Sequence, residues 1–175
     1  MVNRKAFSLS RGAAAITIAM CVVTPTLAAE SSWKMSEMKK NNGEAWGAAL
    51  MSKTSNGQDI GFRCSDGKLL FAAALEPADI EAAFNKAGPQ TGIEVTYTVA
   101  DEEPSSGKWI YLRRHKVIAS SDQKTSRRLY NAAVRGESVL IEAKRRGGGE
   151  YNMPAPDKKT FADFMEACNF NTKQS

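Results

Sequence analysis

The stretch that decides the fold of this 175-residue chain is IGFRCSDGKLLFAAAL, residues 60–75. Apolar and polar or small residues alternate up to Cys64, which predicts a strand whose Cys64 side chain points into the core. Asp66-Gly67 is a two-residue hairpin signal, and a nearly continuous apolar strand follows it. The stretch therefore predicts an antiparallel hairpin.

The segments around this hairpin show further strand and helix patterns. Strands are predicted near residues 46–50, 93–99, 108–112 and 139–143, with a short return strand after the glycines at 147–149. Helices are predicted from Pro77, from Ser121 to Arg135 and from Thr160. Their expected inward faces are Ile80, Ala83, Phe84 and Ala87; Leu129, Tyr130, Ala133 and Val134; and Phe161, Phe164, Met165 and Cys168. The fold class expected is α+β: a curved, mostly antiparallel sheet of about six or seven strands with three helices on one face.

The amino-terminal segment is typical of a secretory signal peptide. Basic residues precede an uncharged stretch from Ala13 to Val23, and small residues follow up to Ala28 and Ala29. We expect residues 1–28 to be cleaved, residues 29–43 to form a polar lead-in, and residues 44–175 to form a single α+β domain. The protein would be exported, either periplasmic or secreted. No apolar run reaches the roughly 18 residues of a membrane helix, so no membrane span is expected.

Cleavage would leave two cysteines, Cys64 and Cys168, because Cys21 lies in the signal peptide. Only one intramolecular pairing is then possible, and an oxidising compartment would preserve it. The predicted disulfide connects the second strand to the last helix. The alternative is a pair of separate buried thiols.

Three elements together resemble a known group of proteins. They are the Cys64 strand with its hairpin turn, the strand Lys108-Trp109-Ile110 after an acidic loop, and the Phe-rich helix from Phe161 to Cys168. Over about residues 45–170 the chain resembles small exported bacterial envelope proteins, including those associated with type VI secretion and the invasion-associated locus B group. The resemblance implies an envelope or secreted accessory protein without known catalysis.

Charge is distributed unevenly along the chain. The full chain has 24 basic and 19 acidic residues, but cleavage of residues 1–28 would reduce the net charge from +5 to about +2, so the overall balance does not indicate nucleic-acid binding. Residues 29–104 have a net charge of −5, whereas residues 105–149 contain eleven basic and three acidic side chains. The middle third of the chain is therefore a basic region.

Within this region we define a basic ridge at helical spacing, Lys124, Arg127, Arg128 and Arg135, and a secondary basic patch, Arg113, Arg114 and Lys116. Arg-rich surfaces suit planar recognition of carboxylate or phosphate. The expected partners are a secretion-system or other acidic protein, lipid headgroups, or another anionic envelope component, and nucleic acid is disfavoured for an exported protein. The alternative is an ordinary solvated helix face.

Motifs for catalysis are scarce in the sequence. The single histidine, His115, lies among cations without a cysteine or carboxylate partner nearby, and the spacing of the cysteines does not suit zinc. We therefore predict no catalytic residue, no metal ligand and no cofactor. The favoured function is an accessory protein that binds a partner. The alternative is a small secreted hydrolase of a cell-wall polymer, whose carboxylates, such as Glu102 and Glu103, would be positioned by the fold.

Overall fold

The computed structural model describes residues 32–75, 90–144 and 147–169. The predicted signal peptide and the predicted helix at residues 77–87 lie outside them. The described helices are α1 (Gln123–Arg135) and α2 (Lys158–Asn169), and a 3₁₀ turn spans Arg113–His115. The strands are β1 (Lys34–Lys39), β2 (Ala45–Lys53), β3 (Asp59–Ser65), β4 (Lys68–Ala74), β5 (Gln90–Val99), β6 (Ser105–Leu112), β7 (Val117–Ser120), β8 (Ser138–Ala143) and β9 (Gly147–Asn152).

All nine strands form one sheet in the order β1-β2-β3-β4-β7-β6-β5-β8-β9, and every neighbouring pair is antiparallel. The hairpin of β3 and β4 forms as predicted, with Cys64 opposite Leu69. Its turn residues Asp66 and Gly67 have φ angles of 51° and 69°. Such left-handed angles at both central positions suit the right-handed twist of the two strands.

The prediction of six or seven strands was wrong, because the described residues contain nine. One missed strand is β1, which lies in the segment expected to be a polar lead-in and whose sequence has no strand alternation. It is held by backbone pairing to β2 and by the preceding Trp33, which is buried. The other is β7, a four-residue central strand that pairs with β4 and β6 and has only one partly exposed residue. A strand this short gives no alternation to detect.

The core lies between one face of the sheet and the two helices. Leu129, Tyr130 and Ala133 of α1 are buried there as predicted, as are Phe161 and Phe164 of α2. Two residues were wrongly assigned inward: Val134 is 41% exposed and Met165 is 39% exposed. The buried stripe of each helix is displaced towards its other side, where Ala132 is buried in α1 and Ala167 packs against the core in α2.

A disulfide joins Cys64 of β3 to Cys168 of α2, with 5.5 Å between the Cα atoms, which confirms the predicted pairing. Aromatic side chains pack beside this bond. The ring of Phe62 lies 5.3 Å from that of Tyr130, and the Tyr130 hydroxyl donates a 3.0 Å hydrogen bond to the Phe161 carbonyl. Burial raises the pKa of Tyr130 to about 12. The disulfide and this cluster together attach α2 to the sheet.

The sheet is curved, as expected, and its two halves approach each other. The Asn56 side chain in the β2–β3 turn donates a 3.2 Å hydrogen bond to the Glu150 carbonyl of β9. The Tyr151 hydroxyl of β9 donates a 2.7 Å hydrogen bond to the Ala74 carbonyl at the end of β4.

Neither of the described helices is long and apolar enough to cross a membrane.

Candidate functional site

Helix α1 carries the predicted basic ridge. The Asp122 carboxylate caps its first turn by accepting a 2.8 Å hydrogen bond from the Thr125 N–H, and this bond lowers the pKa of Asp122. The helix ends at Gly136, whose φ angle is 68°. Thirteen residues span about 20 Å at 1.5 Å per residue. Because Leu129 and Ala133 are buried, the opposite face of α1 must point outward.

This outward face forms one wall of a shallow depression of about 620 Å³, which we call the basic depression. All four ridge residues line it, so the structure brings together the side chains that the helical spacing predicted to be neighbours. Its lining residues are Glu102, Gln123, Lys124, Arg127, Arg128, Asn131 and Arg135. Glu102 comes from the β5–β6 loop, and nothing in the local sequence pattern indicated that it would face the ridge.

Arg128 is the most fixed member of the ridge. Its Nε and Nη2 atoms donate hydrogen bonds of 2.9 and 2.7 Å to Glu102 Oε2, and Nη2 also donates to the Glu103 carbonyl at 3.1 Å. Its Nη1 atom donates to the Ser105 hydroxyl. The guanidinium lies 5.4 Å from the centroid of the Tyr97 ring. Arg128 is therefore positioned by a carboxylate, by the loop and by an aromatic face.

Arg135 is also paired, at the carboxyl end of α1. It donates from Nε and Nη2 to the two carboxylate oxygens of Glu137 at 2.7 and 2.6 Å. Its Nη2 atom lies 4.0 Å from Glu102 Oε1. Glu102 thus lies between Arg128 and Arg135 and forms an ion pair with both.

Lys124 and Arg127 differ from these two arginines. Both are exposed, and within residues 32–75, 90–144 and 147–169 neither forms an ion pair or a hydrogen bond through its side chain. They sit one helical turn apart on the same wall as Arg128, since residues three or four apart are neighbours on a helix. The basic depression therefore combines two positioned arginines with two exposed cations whose side chains make no direct ion pair among the described residues.

The secondary basic patch is a separate surface. Arg113, Arg114 and Lys116 are exposed on the 3₁₀ turn that joins β6 to β7, and His115 is exposed beside them. Ser105, which contacts Arg128, begins β6, whereas the patch follows its other end. Eight residues at about 3.3 Å each put roughly 26 Å between the two sites. A single small anionic group could not contact both.

A second concavity, of about 1120 Å³, lies on the face of the sheet turned away from the helices. Strands β5, β6, β8 and β9 line it, and it contains two carboxylates that the sequence analysis did not single out, Glu94 and Glu142. Lys144 Nζ donates a 2.8 Å hydrogen bond to Glu94, which lowers the pKa of that carboxyl. A general acid needs the opposite shift, so Glu94 is unsuited to that role at neutral pH.

Glu102 and Glu103 were considered above as hydrolase carboxylates, but only Glu102 lines either of the two concavities described here. Glu102 faces the arginines of the ridge, and the backbone carbonyl of Glu103 accepts a hydrogen bond from Arg128. Among the described residues, no group of three or more His, Cys, Asp or Glu side chains is placed to hold a metal ion.

Comparison with models of known protein families finds no match, and comparisons with curated proteins and with solved structures find none either. The resemblance to small exported envelope proteins therefore stays a prediction from the residues that carry it.

Proposed function

We propose that the protein is an exported accessory protein that binds an anionic envelope component through the basic depression, without catalysing a reaction. The observation that carries the proposal is that two positioned arginines, Arg128 and Arg135, and two exposed cations, Lys124 and Arg127, line one concave surface. A guanidinium held in place loses little conformational freedom when it binds, and its planar fork matches phosphate and carboxylate oxygens.

Export is part of this proposal. A disulfide that joins residues 104 positions apart is of the kind that persists in oxidising compartments, whereas the cytosol keeps thiols reduced. The sequence of residues 1–28 supports the same assignment. The intact mass of the protein recovered from the periplasm or the medium tests it. A recovered protein that retains Met1, or accumulation in the cytosol alone, would contradict export.

The basic depression is tested by reversing its two exposed charges that make no direct ion pair, in the variant Lys124→Glu/Arg127→Glu. Each basic residue near an anionic membrane surface contributes about 1 kcal/mol of attraction, so reversing two should weaken binding at least tenfold. The measurement is binding to vesicles that contain an anionic phospholipid, with neutral phosphocholine vesicles as the reference. Binding of the unmodified protein should also weaken with salt, because the Debye length is only about 8 Å at physiological ionic strength.

The matched control is Arg113→Glu/Arg114→Glu, which changes the net charge equally in the secondary basic patch. Both variants alter exposed side chains and should melt within a few degrees of the unmodified protein. Equal weakening by the two variants would mean that overall charge, and not the depression, governs binding. Unchanged binding in the Lys124→Glu/Arg127→Glu variant would leave the ridge as a solvated helix face. If the Lys124→Glu/Arg127→Glu variant no longer captures a protein that the unmodified protein captures, but still binds the vesicles, the partner is an acidic protein.

The alternative function is a small secreted hydrolase of a cell-wall polymer. The observation that favours it is the open concavity of about 1120 Å³, which contains Glu94 and Glu142. The ion pair between Glu94 and Lys144 opposes it, because it holds the Glu94 carboxyl in its charged form. Clearing of a purified cell-wall suspension by the unmodified protein, abolished by Glu142→Gln, would favour this alternative over the binding function.

A further inference from the structure

We propose that Glu102 is an internal competitor, a carboxylate of the protein itself that occupies the arginines of the basic depression until an external phosphate group displaces it. This inference rests on the proposed function. It concerns how the same site is controlled and which chemistry can occupy it.

The position of Glu102 is that of a bound anion. One of its carboxylate oxygens accepts two hydrogen bonds from Arg128, and the other lies 4.0 Å from Arg135. The carboxylate therefore bridges two arginines that are seven residues apart on the same helix, as an anionic ligand would. It also lines the depression together with Lys124 and Arg127.

The loop that carries Glu102 holds its backbone in place while leaving its side chain accessible. Ala100 has a φ angle of 45°, and the Glu102 N–H donates a 2.9 Å hydrogen bond to the Val99 carbonyl. The Glu102 side chain is nevertheless 50% exposed. Exposed ion pairs contribute little to stability because water and salt screen them. The carboxylate can therefore leave the arginines without unfolding the loop.

Arg128 would stay aimed at the depression after Glu102 leaves. Its hydrogen bonds to the Glu103 carbonyl and the Ser105 hydroxyl, and its contact with the Tyr97 ring, do not involve the Glu102 side chain. The departure of Glu102 thus uncovers a positioned guanidinium. The vacated position lies beside Arg135 and faces the helix wall that carries Lys124.

Competition of this kind selects between anions. A ligand that binds only the uncovered state loses apparent affinity in proportion to the fraction of molecules in that state. A ligand with a single carboxylate can form no more hydrogen bonds with Arg128 than Glu102 already forms. Glu102 also competes more effectively, because its own backbone holds it beside the arginines. A phosphate group has additional oxygens that Lys124 and Arg127 can reach while Arg128 keeps its partner. We therefore assign phosphate, and not an isolated carboxylate, as the preferred occupant.

The test compares Glu102→Gln with Asp101→Asn and Glu103→Gln. All three variants remove one negative charge from the same loop, but of these three described side chains only that of Glu102 forms an ion pair with the ridge. Binding to the anionic phospholipid vesicles should tighten at least threefold in Glu102→Gln and change less than twofold in the two controls. Acetate at the ionic strength of a matched phosphate buffer should compete with the vesicles less than phosphate does.

The outcomes separate this inference from the proposed function. If Lys124→Glu/Arg127→Glu weakens binding but Glu102→Gln behaves like the two controls, the depression binds anions and the competitor role is wrong. If the unmodified protein binds too weakly to measure, a gain of binding in Glu102→Gln supports the inference, and no gain overturns it. Equal competition by acetate and phosphate would overturn the assignment of phosphate.

Discussion

Replacing Cys64 and Cys168 together by alanine should lower the free energy of unfolding by about 4–5 kcal/mol. The bond connects residues 104 positions apart, and the chain-entropy model gives about 4.7 kcal/mol for a loop of roughly 100 residues. A typical domain has a total stability of only about 5–15 kcal/mol. The disulfide is therefore expected to supply a large part of the stability of this fold.

The variant should nevertheless fold, because α2 has other attachments. Phe161 and Phe164 are 4% and 0% exposed, and the Phe161 ring packs edge-on against Trp33 at 5.2 Å. We expect the native sheet to remain and α2 to exchange its amide hydrogens faster than in the oxidised protein, since it loses its covalent attachment.

Urea denaturation followed by tryptophan fluorescence measures the loss, because Trp33 and Trp109 are both buried. The unmodified protein in reducing agent is the control. It loses the bond without losing the buried side chains and should unfold at nearly the same urea concentration as the double variant. A loss below about 1 kcal/mol, the size of an average point substitution, would refute the reasoning. If the double variant is destabilised but the reduced unmodified protein is not, the loss of stability comes from the missing side-chain packing and not from the missing disulfide.

Three further predictions concern single sites. Asp122→Ala should destabilise the protein by about 1 kcal/mol at neutral pH by removing the cap of α1. Because the hydrogen bond from the Thr125 N–H lowers the pKa of Asp122 below 3.8, urea denaturation at several pH values should show this difference above pH 4 and its loss as the pH falls through the folded pKa. Gly148→Ala should cost about 1–3 kcal/mol, because a Cβ atom there would lie 2.1 Å from a backbone oxygen of β8. Gly92→Ala, where a Cβ atom meets nothing within 4 Å, should change the thermal midpoint little. Burial raises the pKa of Tyr130 from 10.0 to about 12, so the folded state keeps a proton that the unfolded chain loses above pH 10. The free energy of unfolding should therefore decrease between about pH 10 and 12, and it should decrease less steeply in Tyr130→Phe than in the unmodified protein.

Local patterns in the sequence determined much of this protein. The alternation up to Cys64 and the Asp66-Gly67 turn predicted the hairpin of β3 and β4, because strand alternation and left-handed turn residues are properties of a few adjacent positions. Helical spacing likewise predicted that Lys124 and Arg127 share one outward face. Two inward cysteines, Cys64 and Cys168, predicted the disulfide because only one pairing remained.

Other features were decided only by the tertiary structure. Strand β1 forms because β2 offers it a backbone partner, and backbone pairing requires no side-chain period that a sequence could display. The carboxylate of Glu102 meets Arg128 across 26 residues of chain, and Glu94 meets Lys144 across 50. Such contacts depend on strand order and on the direction of α1 across the sheet. Local spacing could therefore predict a basic face on α1. Only the tertiary fold placed Glu102 against that face.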